Sequence, residues 1–377
     1  ILFMASTLRI FTRRFFIYCN VALGVLFLLA CLVPQLPPQS WWFIAFLGLL
    51  FPFLLFGLIL FFFGWLVLWK PARTFFSLVP VLLGWNQIQI AFAFRNSETF
   101  VERKAPESIR VVSWNVARFI EMRKNNNKGS QTRLKMFDLI KEQNADVLCL
   151  QEFQTSINPE FYENIRPIRE KLGYPYYYFS YDEDGDMHYY SSIIFSRFPI
   201  VDTARVRFPR PSLPEVLLQA DLLVGKDTVR IYTTHLQSFQ LGPQDYRRIE
   251  AIKSGEDSLI SHSRNIFSKW KRGVVNRTLQ AEITREVMSN SPHPSILCAD
   301  LNDIPNSYSY ATVRGNYQDA FLEKGSGIGR TFLGLSPTLR IDYVFADDRF
   351  EVRQFVRRKE RYSDHFMLVA DLALKAN

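Results

Sequence analysis

The sequence SILCADLND, residues 295–303, predicts a buried strand that ends in polar residues. Small or apolar side chains fill positions 295–299, and Asp300 and Asn302 follow directly. Alternation along an extended chain would place these two side chains on the same side. A carboxylate can take a proton from water, and an amide can hold a phosphate or a metal-bound oxygen. Because an Asp-x-Asn sequence by itself usually just turns a chain, its meaning depends on the other strands.

From about residue 108 onward, short apolar segments alternate with polar segments of helical spacing. The pattern predicts helices at 132–143 and 258–289, and further strands at 109–114, 145–150, 191–195, 229–234, 340–345 and 366–372. Such alternation is typical of an α/β or α+β domain. The roughly 270 residues involved are enough for one large core.

Most of these predicted strands are followed or preceded by polar residues that suit phosphate chemistry. Carboxylates and amides without cysteine favour a hard cation, Mg²⁺ or Mn²⁺, whereas zinc would require Cys or closely spaced His. A divalent ion beside two histidines suits attack of water on phosphorus. The candidate site residues are Asn115, Glu152, His235, Asp300, Asn302, Asp342, Asp364 and His365.

The first hundred residues differ in composition from the rest. They contain six basic residues and one acidic residue, so they carry +5 of the net charge of +9. The remaining +4 gives only modest support for a nucleic-acid partner, despite a pI of about 9.3. The four cysteines provide no disulfide framework.

Three apolar runs in this region, at about 15–33, 41–69 and 75–94, predict two to three transmembrane helices. The first could instead be a signal peptide that ends at Leu28-Leu29-Ala30-Cys31. The second lacks any charge and has Trp residues at both ends, as membrane spans do. Polar residues interrupt the third, which either spans or lies at the interface. We therefore expect a membrane region at 1–100 and a catalytic domain at 101–377.

The number of spans decides the side on which the catalytic domain lies. Basic residues flank the start of the first run and the end of the second, which places both in the cytoplasm by the positive-inside tendency. Three spans would put the catalytic domain outside the cytoplasm, and two would put it inside. In either case we expect an integral protein of a bacterial-type inner or plasma membrane.

Six short motifs occur in order over roughly residues 108–374. They are Ser113-Trp114-Asn115-Val116, Leu150-Gln151-Glu152, Thr234-His235-Leu236-Gln237, Asp300-Leu301-Asn302-Asp303, Arg340-Ile341-Asp342-Tyr343 and Ser363-Asp364-His365. In this order they resemble the motifs of the endonuclease/exonuclease/phosphatase superfamily, which includes deoxyribonucleases, inositol polyphosphate 5-phosphatases and neutral sphingomyelinases. The resemblance implies a four-layered α/β sandwich of two packed mixed sheets flanked by helices.

The resemblance also implies a role for each candidate residue. Glu152 would be the principal metal ligand with Asn115 nearby, and Asp364 would be a further ligand or would lie beside one. Asp300 would orient or deprotonate the attacking water, and Asn302 would hold the phosphate. His365, oriented by Asp342, would contact the scissile phosphate, and His235 would be a second acid–base or phosphate-binding group.

Two differences from the abasic-site endonucleases indicate which branch of the superfamily this sequence resembles. Abasic-site endonucleases carry Asp where this chain has Ala117, and they lack a histidine at the position of His235. Both differences favour the deoxyribonuclease, phosphatase and sphingomyelinase branches.

The sequence thus predicts a membrane-anchored, metal-dependent phosphoesterase, with a lipid phosphoester as its substrate. A membrane-tethered endonuclease or exonuclease acting on nucleic acid is the main alternative, and a catalytically inactive scaffold is an alternative of another class. The expected partners are the phosphoester, lipid or nucleic acid, and the bilayer itself. No obligate protein partner is expected.

Overall fold

The structure, a computed structural model, describes residues 2–95, 99–126, 128–185, 187–209, 216–239 and 259–375. Four helices come first, and strands and helices alternate after them. The helices are α1 (Leu2–Leu32), α2 (Pro38–Val67), α3 (Phe75–Leu83), α4 (Trp85–Ala91), α5 (Thr132–Gln143), α6 (Ile165–Leu172), α7 (Leu259–Ser289), α8 (Tyr308–Arg314) and α9 (Ala320–Lys324).

Fourteen strands are present among the described residues, and twelve of them form two six-stranded sheets. The strands are β1 (Ala93–Phe94), β2 (Ser108–Asn115), β3 (Val147–Ser156), β4 (Tyr176–Phe179), β5 (His188–Ser196), β6 (Ile200–Arg207), β7 (Val216–Val224), β8 (Asp227–His235), β9 (Ser295–Asp300), β10 (Gln318–Asp319), β11 (Ser326–Gly327), β12 (Asp342–Ala346), β13 (Phe350–Arg358) and β14 (Met367–Leu374).

The two sheets have the same arrangement of parallel and antiparallel pairs. One has the order β13-β14-β2-β3-β5-β4 and the other the order β10-β12-β9-β8-β7-β6. In each sheet one central pair, β2–β3 or β8–β9, is parallel and the other pairs are antiparallel. Both sheets are therefore mixed, as the resemblance implies.

The sheets pack face to face, with helices on their outer faces. Side chains from both sheets, such as Val111, Ile194, Leu218 and Ile231, form the core between them. Helices α5 and α6 cover the outer face of the first sheet, and α7 and α8 cover that of the second. This arrangement confirms the predicted four-layered sandwich.

The strands that the sequence does not predict lie mostly at sheet edges. These are β4, β6 and β13 at the edges of the two large sheets, together with the interior strand β7 and the two-residue strands. An edge strand has one row of unpaired backbone groups and carries more polar side chains, so it resembles a loop in sequence. The predicted strand at 145–150 is also too short, because β3 runs on to Ser156.

Two helical segments, Thr12–Gln35 and Pro38–Val67, are long and apolar enough to cross a membrane. A core helix of a soluble protein or a signal sequence can pass the same test of length and composition. In both segments, however, only 28% of the most apolar window is buried inside the protein. Large apolar side chains such as Phe53, Phe56, Leu60 and Phe63 are exposed on α2.

The third apolar run is not one long helix. A 3-10 turn at Pro71–Thr74 leads into α3, and a break at Gly84 separates α3 from α4. Helix α3 lies along α1, since Ser77 Oγ donates to Asn20 Oδ1 at 3.0 Å. Farther along, a Cβ on Gly84 would lie 2.8 Å from Cys31 Sγ, so the chain runs in the same direction as α1.

The helical region contacts the sandwich near the C-terminal end of α1. Asn306 Nδ2 donates to the Ala30 carbonyl at 3.1 Å, and Arg340 Nη2 donates to the Ile90 carbonyl at 2.7 Å. Trp270 of α7 packs edge-on against Phe46 of α2, with ring centroids 5.8 Å apart. The residues that touch the helices thus flank Asp300 and Asp342.

Candidate active site

Three site residues stand in one row across the second sheet. His235 at the end of β8 is paired in register with Asp300 at the end of β9, and Asp300 is paired with Asp342 at the start of β12. Side chains at paired positions of neighbouring strands point to the same face of a sheet. Strand register therefore brings together three groups whose outermost members, His235 and Asp342, are more than a hundred residues apart in sequence.

His365 lies against the Asp342 end of this row. Its Nδ1 atom is 2.9 Å from both carboxylate oxygens of Asp342 and 3.7 Å from Asp300 Oδ2. Its backbone is held by Trp114, whose Nε1 donates to the His365 carbonyl at 2.9 Å, and by the Ser363 hydroxyl. Because Nδ1 faces Asp342, Nε2 is the ring nitrogen available to a ligand in the adjoining cleft.

The pKa values of His365 and Asp300 are both raised by their surroundings. Burial alone would lower the pKa of His365, but Asp342 and Asp300 attract its proton and raise that pKa to about 10. The pKa of Asp300 is raised by burial and by repulsion from Asp342, against the opposing effects of His365 and His235. The cluster therefore holds at least one proton at neutral pH.

Glu152 reaches the site through an irregularity in β3. The pairing of β3 with β5 shifts register between Leu150 and Phe153, and Glu152 has a φ of +50°. Positive φ is costly for a residue such as glutamate, and strained residues of this kind cluster at functional sites. A β-bulge of this kind redirects one side chain. The sequence places Glu152 after the strand, whereas the structure places it inside.

The Glu152 carboxylate lies beside groups that favour its charged form. Burial would raise its pKa, but attraction to His235, the Asn115 hydrogen bond, His365 and Arg118 lower that pKa below its ordinary value. Glu152 Oε1 accepts from Asn115 Nδ2 at 3.1 Å and is 3.6 Å from His235 Nε2. Its side chain remains 28% exposed, so the carboxylate is accessible from the cleft.

Asn115 bridges the two sheets. Its amide nitrogen donates to Glu152 of the first sheet and, at 2.9 Å, to Asp300 Oδ2 of the second. Its amide oxygen accepts from the backbone N–H of Ala117 at 3.0 Å. In this orientation the side chain positions two carboxylates, and its oxygen points away from them. A place for Asn115 close to the metal, which the resemblance implies, stays a prediction.

Asn302 meets Asp300 through a turn and not through strand alternation. Strand β9 ends at Asp300, Asn302 has a φ of +50°, and its backbone N–H donates to Asp300 Oδ1 at 2.8 Å. The Asn302 amide nitrogen donates to the Leu236 carbonyl and lies 2.8 Å from His235 Nε2. Both side chains lie beside His235 Nε2, which is 3.6 Å from Asp300 Oδ2, and the turn places Asn302 there.

An open cleft of about 190 Å³ adjoins these residues. The polar residues in its lining, called here its polar side, include Asp364, which is exposed, together with Glu152, Asn302, Asp303 and His365. The apolar residues in its lining, called its apolar side, are Leu49, Phe239, Ile304, Phe332, Leu335, Leu339 and Ile341. The cleft thus offers a ligand both charged and apolar contacts.

The donor atoms suit a hard divalent cation. Oxygen atoms from Glu152 and Asp364 line the open cleft, and such ligands match the preference of Mg²⁺ or Mn²⁺. A second grouping, Asp300, Asp342 and His365, has its ligand-type atoms within 4.8 Å of one another. Both Asp342 oxygens already face His365 Nδ1, however, so that grouping is better described as a hydrogen-bonded network.

Several supporting residues have no predicted role. Gln151, buried between the sheets, donates to Thr233 Oγ1 at 3.0 Å. Gln280 accepts from the backbone N–H of Gln237 at 2.8 Å, and Arg277 donates to the carbonyl of the same residue at 2.9 Å. Gln151 and Gln237 belong to the quoted motifs, and a shared helical face is the only sequence signal for Arg277 and Gln280.

The sequence matches the patterns of two protein families. The sequence pattern of the Endonuclease/Exonuclease/phosphatase family matches residues 112–365, about two thirds of the chain. A second pattern, that of a domain of unknown function, matches residues 13–90. Among proteins with curated descriptions, no significant relative was found.

Solved structures with a similar fold include three from different organisms. An endonuclease/exonuclease/phosphatase protein from Beutenbergia cavernae is 20% identical, with a TM-score of 0.49, and the match covers 73% of this chain and 72% of that one. The human Nocturnin catalytic domain is 18% identical, with a TM-score of 0.49 and coverage of 72% and 97%. A Bacteroides thetaiotaomicron mannosyl-6-phosphatase is 15% identical, with a TM-score of 0.47 and coverage of 71% and 100%.

Proposed function

The chain belongs to the endonuclease/exonuclease/phosphatase family, whose members are hydrolases of phosphoesters, and we propose that it is a membrane-anchored, metal-dependent hydrolase of a lipid phosphoester. The observation that carries the hydrolase is the close approach of Asp300, Asp342 and His365, together with Glu152, beside one open cleft that Glu152 and His365 line. Each of these groups has a use in attack on phosphorus, and they come from four different strands or loops.

Glu152 and Asp364 are the groups proposed to hold the divalent cation. A cation there would neutralise charge on the phosphoryl oxygens. Asn115 would keep the Glu152 carboxylate turned toward the cleft. These assignments follow from the accessibility of the two carboxylates and from the lowered pKa of Glu152, which keeps it ionised at neutral pH.

The remaining groups account for the protons. Asp300 would take the proton of the attacking water while the water oxygen forms a bond to phosphorus. The bond from phosphorus to the alcohol oxygen would break on the opposite side, and His365 would donate the Nε2 proton to that oxygen. Asp342 would hold the imidazole in place through Nδ1. Asn302, fixed by its bond to Leu236, would hold a phosphoryl oxygen.

Membrane anchoring is supported by the surface of the first two helices. A long helix in the core of a soluble protein would be mostly covered, whereas α1 and α2 keep most of their apolar surface exposed. From Leu50 to Val67, helix α2 is about 27 Å long, close to the ~30 Å hydrocarbon core of a bilayer. Arg14 on one side and the sandwich on the other would then border the hydrocarbon.

The positions of the contacts favour a catalytic domain outside the cytoplasm. Arg13, Arg14, Lys70 and Arg73 lie at one end of the α1–α2 pair, and the sandwich touches the other end. Because α3 follows α1 in direction, the chain crosses from the basic end to the sandwich a third time. By the positive-inside tendency, the basic end is cytoplasmic.

A lipid substrate is supported by the location of the cleft. Leu49, in the helix proposed to enter the bilayer, lines the cleft together with Glu152 and His365. The reacting groups would therefore lie at the level of the lipid head groups. A soluble nucleic acid would have to approach the same cleft past this helix.

The direct test is an assay of the full-length protein in detergent with Mg²⁺. Release of product would be followed from a phospholipid and sphingolipid panel and, in parallel, from plasmid DNA. Metal-dependent turnover of a lipid, lost with EDTA and in Glu152→Gln, is expected. Glu170→Gln, an exposed glutamate on α6, is the matched control and should retain activity.

The alternatives predict different results. Nicking of DNA without turnover of any lipid would identify a tethered nuclease and would overturn the lipid assignment. Absence of turnover of both substrate classes, with a cellular phenotype that survives Glu152→Gln and His365→Ala, would indicate a scaffold.

A further inference from the structure

Helix α2 supplies part of the active-site surface. Leu49 lines the cleft, although it lies more than a hundred residues before Glu152 in sequence and outside the sandwich. Two loop residues, Ile304 and Leu339, line this cleft and also a small cavity against Gly48 and Pro52 of α2. The same loops therefore face the reacting groups on one side and the helix on the other.

The position of α2 against the sandwich is fixed by close packing. A Cβ on Gly48 would lie 2.4 Å from the Asn306 carbonyl oxygen, so only glycine permits this approach. Trp42, one and a half turns earlier, lies near Trp270, and Lys271 Nζ is 4.8 Å from the centroid of the Trp42 ring. Leu49 is consequently held beside the cleft by contacts on both sides of it.

Leu49 also belongs to an exposed apolar face of α2. Phe46, Leu49 and Phe53 are spaced by three and four residues, so they lie on one side of the helix. Phe46 is 39% exposed and Phe53 is 53% exposed. The face runs from the proposed hydrocarbon region, at Phe53, to the mouth of the cleft, at Leu49.

We infer that this face of α2 binds the hydrocarbon chain of the lipid while the phosphoester occupies the polar side of the cleft. The inference rests on the proposed lipid hydrolysis and adds the mode of binding. The lipid stays partly in the bilayer: its chain lies along Phe53 and Leu49, and its phosphate meets Glu152 and His365. Contact between the hydrocarbon chain and α2 would then distinguish a membrane lipid from a water-soluble phosphoester.

The two sides of the cleft explain why one ligand would need both features. The polar side alone would accept any phosphoester, since it recognises charge and phosphorus geometry. The apolar side gains free energy only from a ligand that brings apolar surface to it. A phosphoester attached to a hydrocarbon chain satisfies both sides at once.

The test compares two tryptophan substitutions on α2 in the full-length protein reconstituted into phospholipid vesicles. Leu49→Trp would fill the mouth of the cleft, whereas Leu60→Trp, on the same face about 16 Å farther along the helix, would not reach it. Each variant is assayed on a long-chain lipid and on bis(p-nitrophenyl) phosphate, a water-soluble phosphodiester. Melting curves and the milder variant Leu49→Ala separate misfolding from loss of chain binding.

We expect Leu49→Trp to lower the ratio of lipid turnover to soluble-ester turnover by about tenfold or more, which is the scale of a change in a hydrophobic pocket. Leu60→Trp should leave the ratio at the wild-type value. A wild-type ratio in Leu49→Trp and Leu49→Ala, with lipid turnover intact, would overturn the inference alone. Turnover of the soluble ester without turnover of any lipid by the wild type would overturn the lipid function as well.

Discussion

The geometry around His365 makes Asp342 the residue whose charge matters most to that histidine. Asp342→Asn keeps the shape but replaces a carboxylate that accepts the Nδ1 proton, so the imidazole loses its orientation and its charge partner. We expect kcat to fall by about 10²–10⁴-fold with little change in KM, the usual scale for an acid–base group. Steady-state kinetics on the preferred ester would measure it.

A matched control for this substitution is Asp227→Asn, an exposed aspartate at the start of β8. It should leave kcat at the wild-type value. An increase in KM without a change in kcat for Asp342→Asn would show that Asp342 acts in binding and not in the chemical step.

Metal binding should be visible without any turnover. A ligand that binds only the folded state raises the melting temperature. Added Mg²⁺ or Mn²⁺ should therefore stabilise the wild type, and Glu152→Gln should remove most of the shift because it replaces the accessible carboxylate. Differential scanning fluorimetry with and without the ion, with Glu170→Gln alongside, gives the comparison. An undiminished shift in Glu152→Gln would place the cation elsewhere, for instance at Asp300 and Asp342.

The identities of the site residues were predictable, but the backbone that presents them was not. The spacing of polar residues after apolar strands pointed to Glu152 and Asn302, yet both have a φ of +50°, which is unusual for glutamate although asparagine adopts it more readily. Such strain is sustained by long-range contacts such as the Asn115 bridge. A local sequence contains no record of those contacts.

Among the strands, one buried ion pair joins β2 to β14. Arg110 and Asp371 are register partners, and their side chains pair through two bonds of 2.7 and 2.9 Å while almost fully buried. Removing one partner of a buried ion pair leaves the other charge buried without compensation and typically costs about 3–5 kcal/mol. Asp371→Asn should lower the free energy of unfolding by an amount on that scale, measured by denaturant unfolding in detergent.

The control for this pair is Asp348→Asn, an exposed aspartate between β12 and β13. It should be close to the wild type. If Asp371→Asn were equally stable, the neighbouring donors and acceptors, such as Gln354 Nε2 at 2.6 Å, would have to compensate for the lost charge.

Helix α2 offers a similar comparison at two glycines. Gly48→Ala would place a Cβ 2.4 Å from the Asn306 carbonyl and should cost about 1–3 kcal/mol, as overpacking does. In Gly64→Ala, by contrast, the new Cβ meets no atom within 4 Å among the described residues. Melting temperatures of the two variants should differ, with Gly48→Ala lower. Equal values would mean that α2 is not held against the Asn306 loop.

Sequence patterns predicted the central strands better than the edges. Strands β2 and β9 are buried along their whole length, whereas β13 alternates with charged residues such as Glu351 and Arg353. The break in the third apolar run was visible only as polar interruptions at Asn86 and Gln87. Its consequence, two short helices along α1, depends on packing.

For the whole molecule, the proposed orientation is testable by labelling. A cysteine introduced at Lys226, in an exposed turn of the sandwich, should react with a membrane-impermeant maleimide in intact spheroplasts. A cysteine at Lys70, at the basic end, should react only after permeabilisation. Cys149 and Cys298 are buried and should contribute little background. The opposite pattern would place the catalytic domain in the cytoplasm.

The participation of α2 in the cleft is the feature that the sequence could least predict. Leu49 is one of many leucines in a long apolar run, and nothing local distinguishes it from Leu60. Its significance arises only when the loops at 304–306 and 332–341 fold against the helix.

The contacts between the helices and the sandwich also bear on how such a chain could be recombined. Two separate family patterns match residues 13–90 and 112–365, which suggests interchangeable modules. Yet Asn306 and Arg340 of one segment donate to the carbonyls of Ala30 and Ile90 in the other. A chimera that joins the helices of one relative to the sandwich of another would have to keep both partners of these two hydrogen bonds. The two segments are therefore expected to be inherited together.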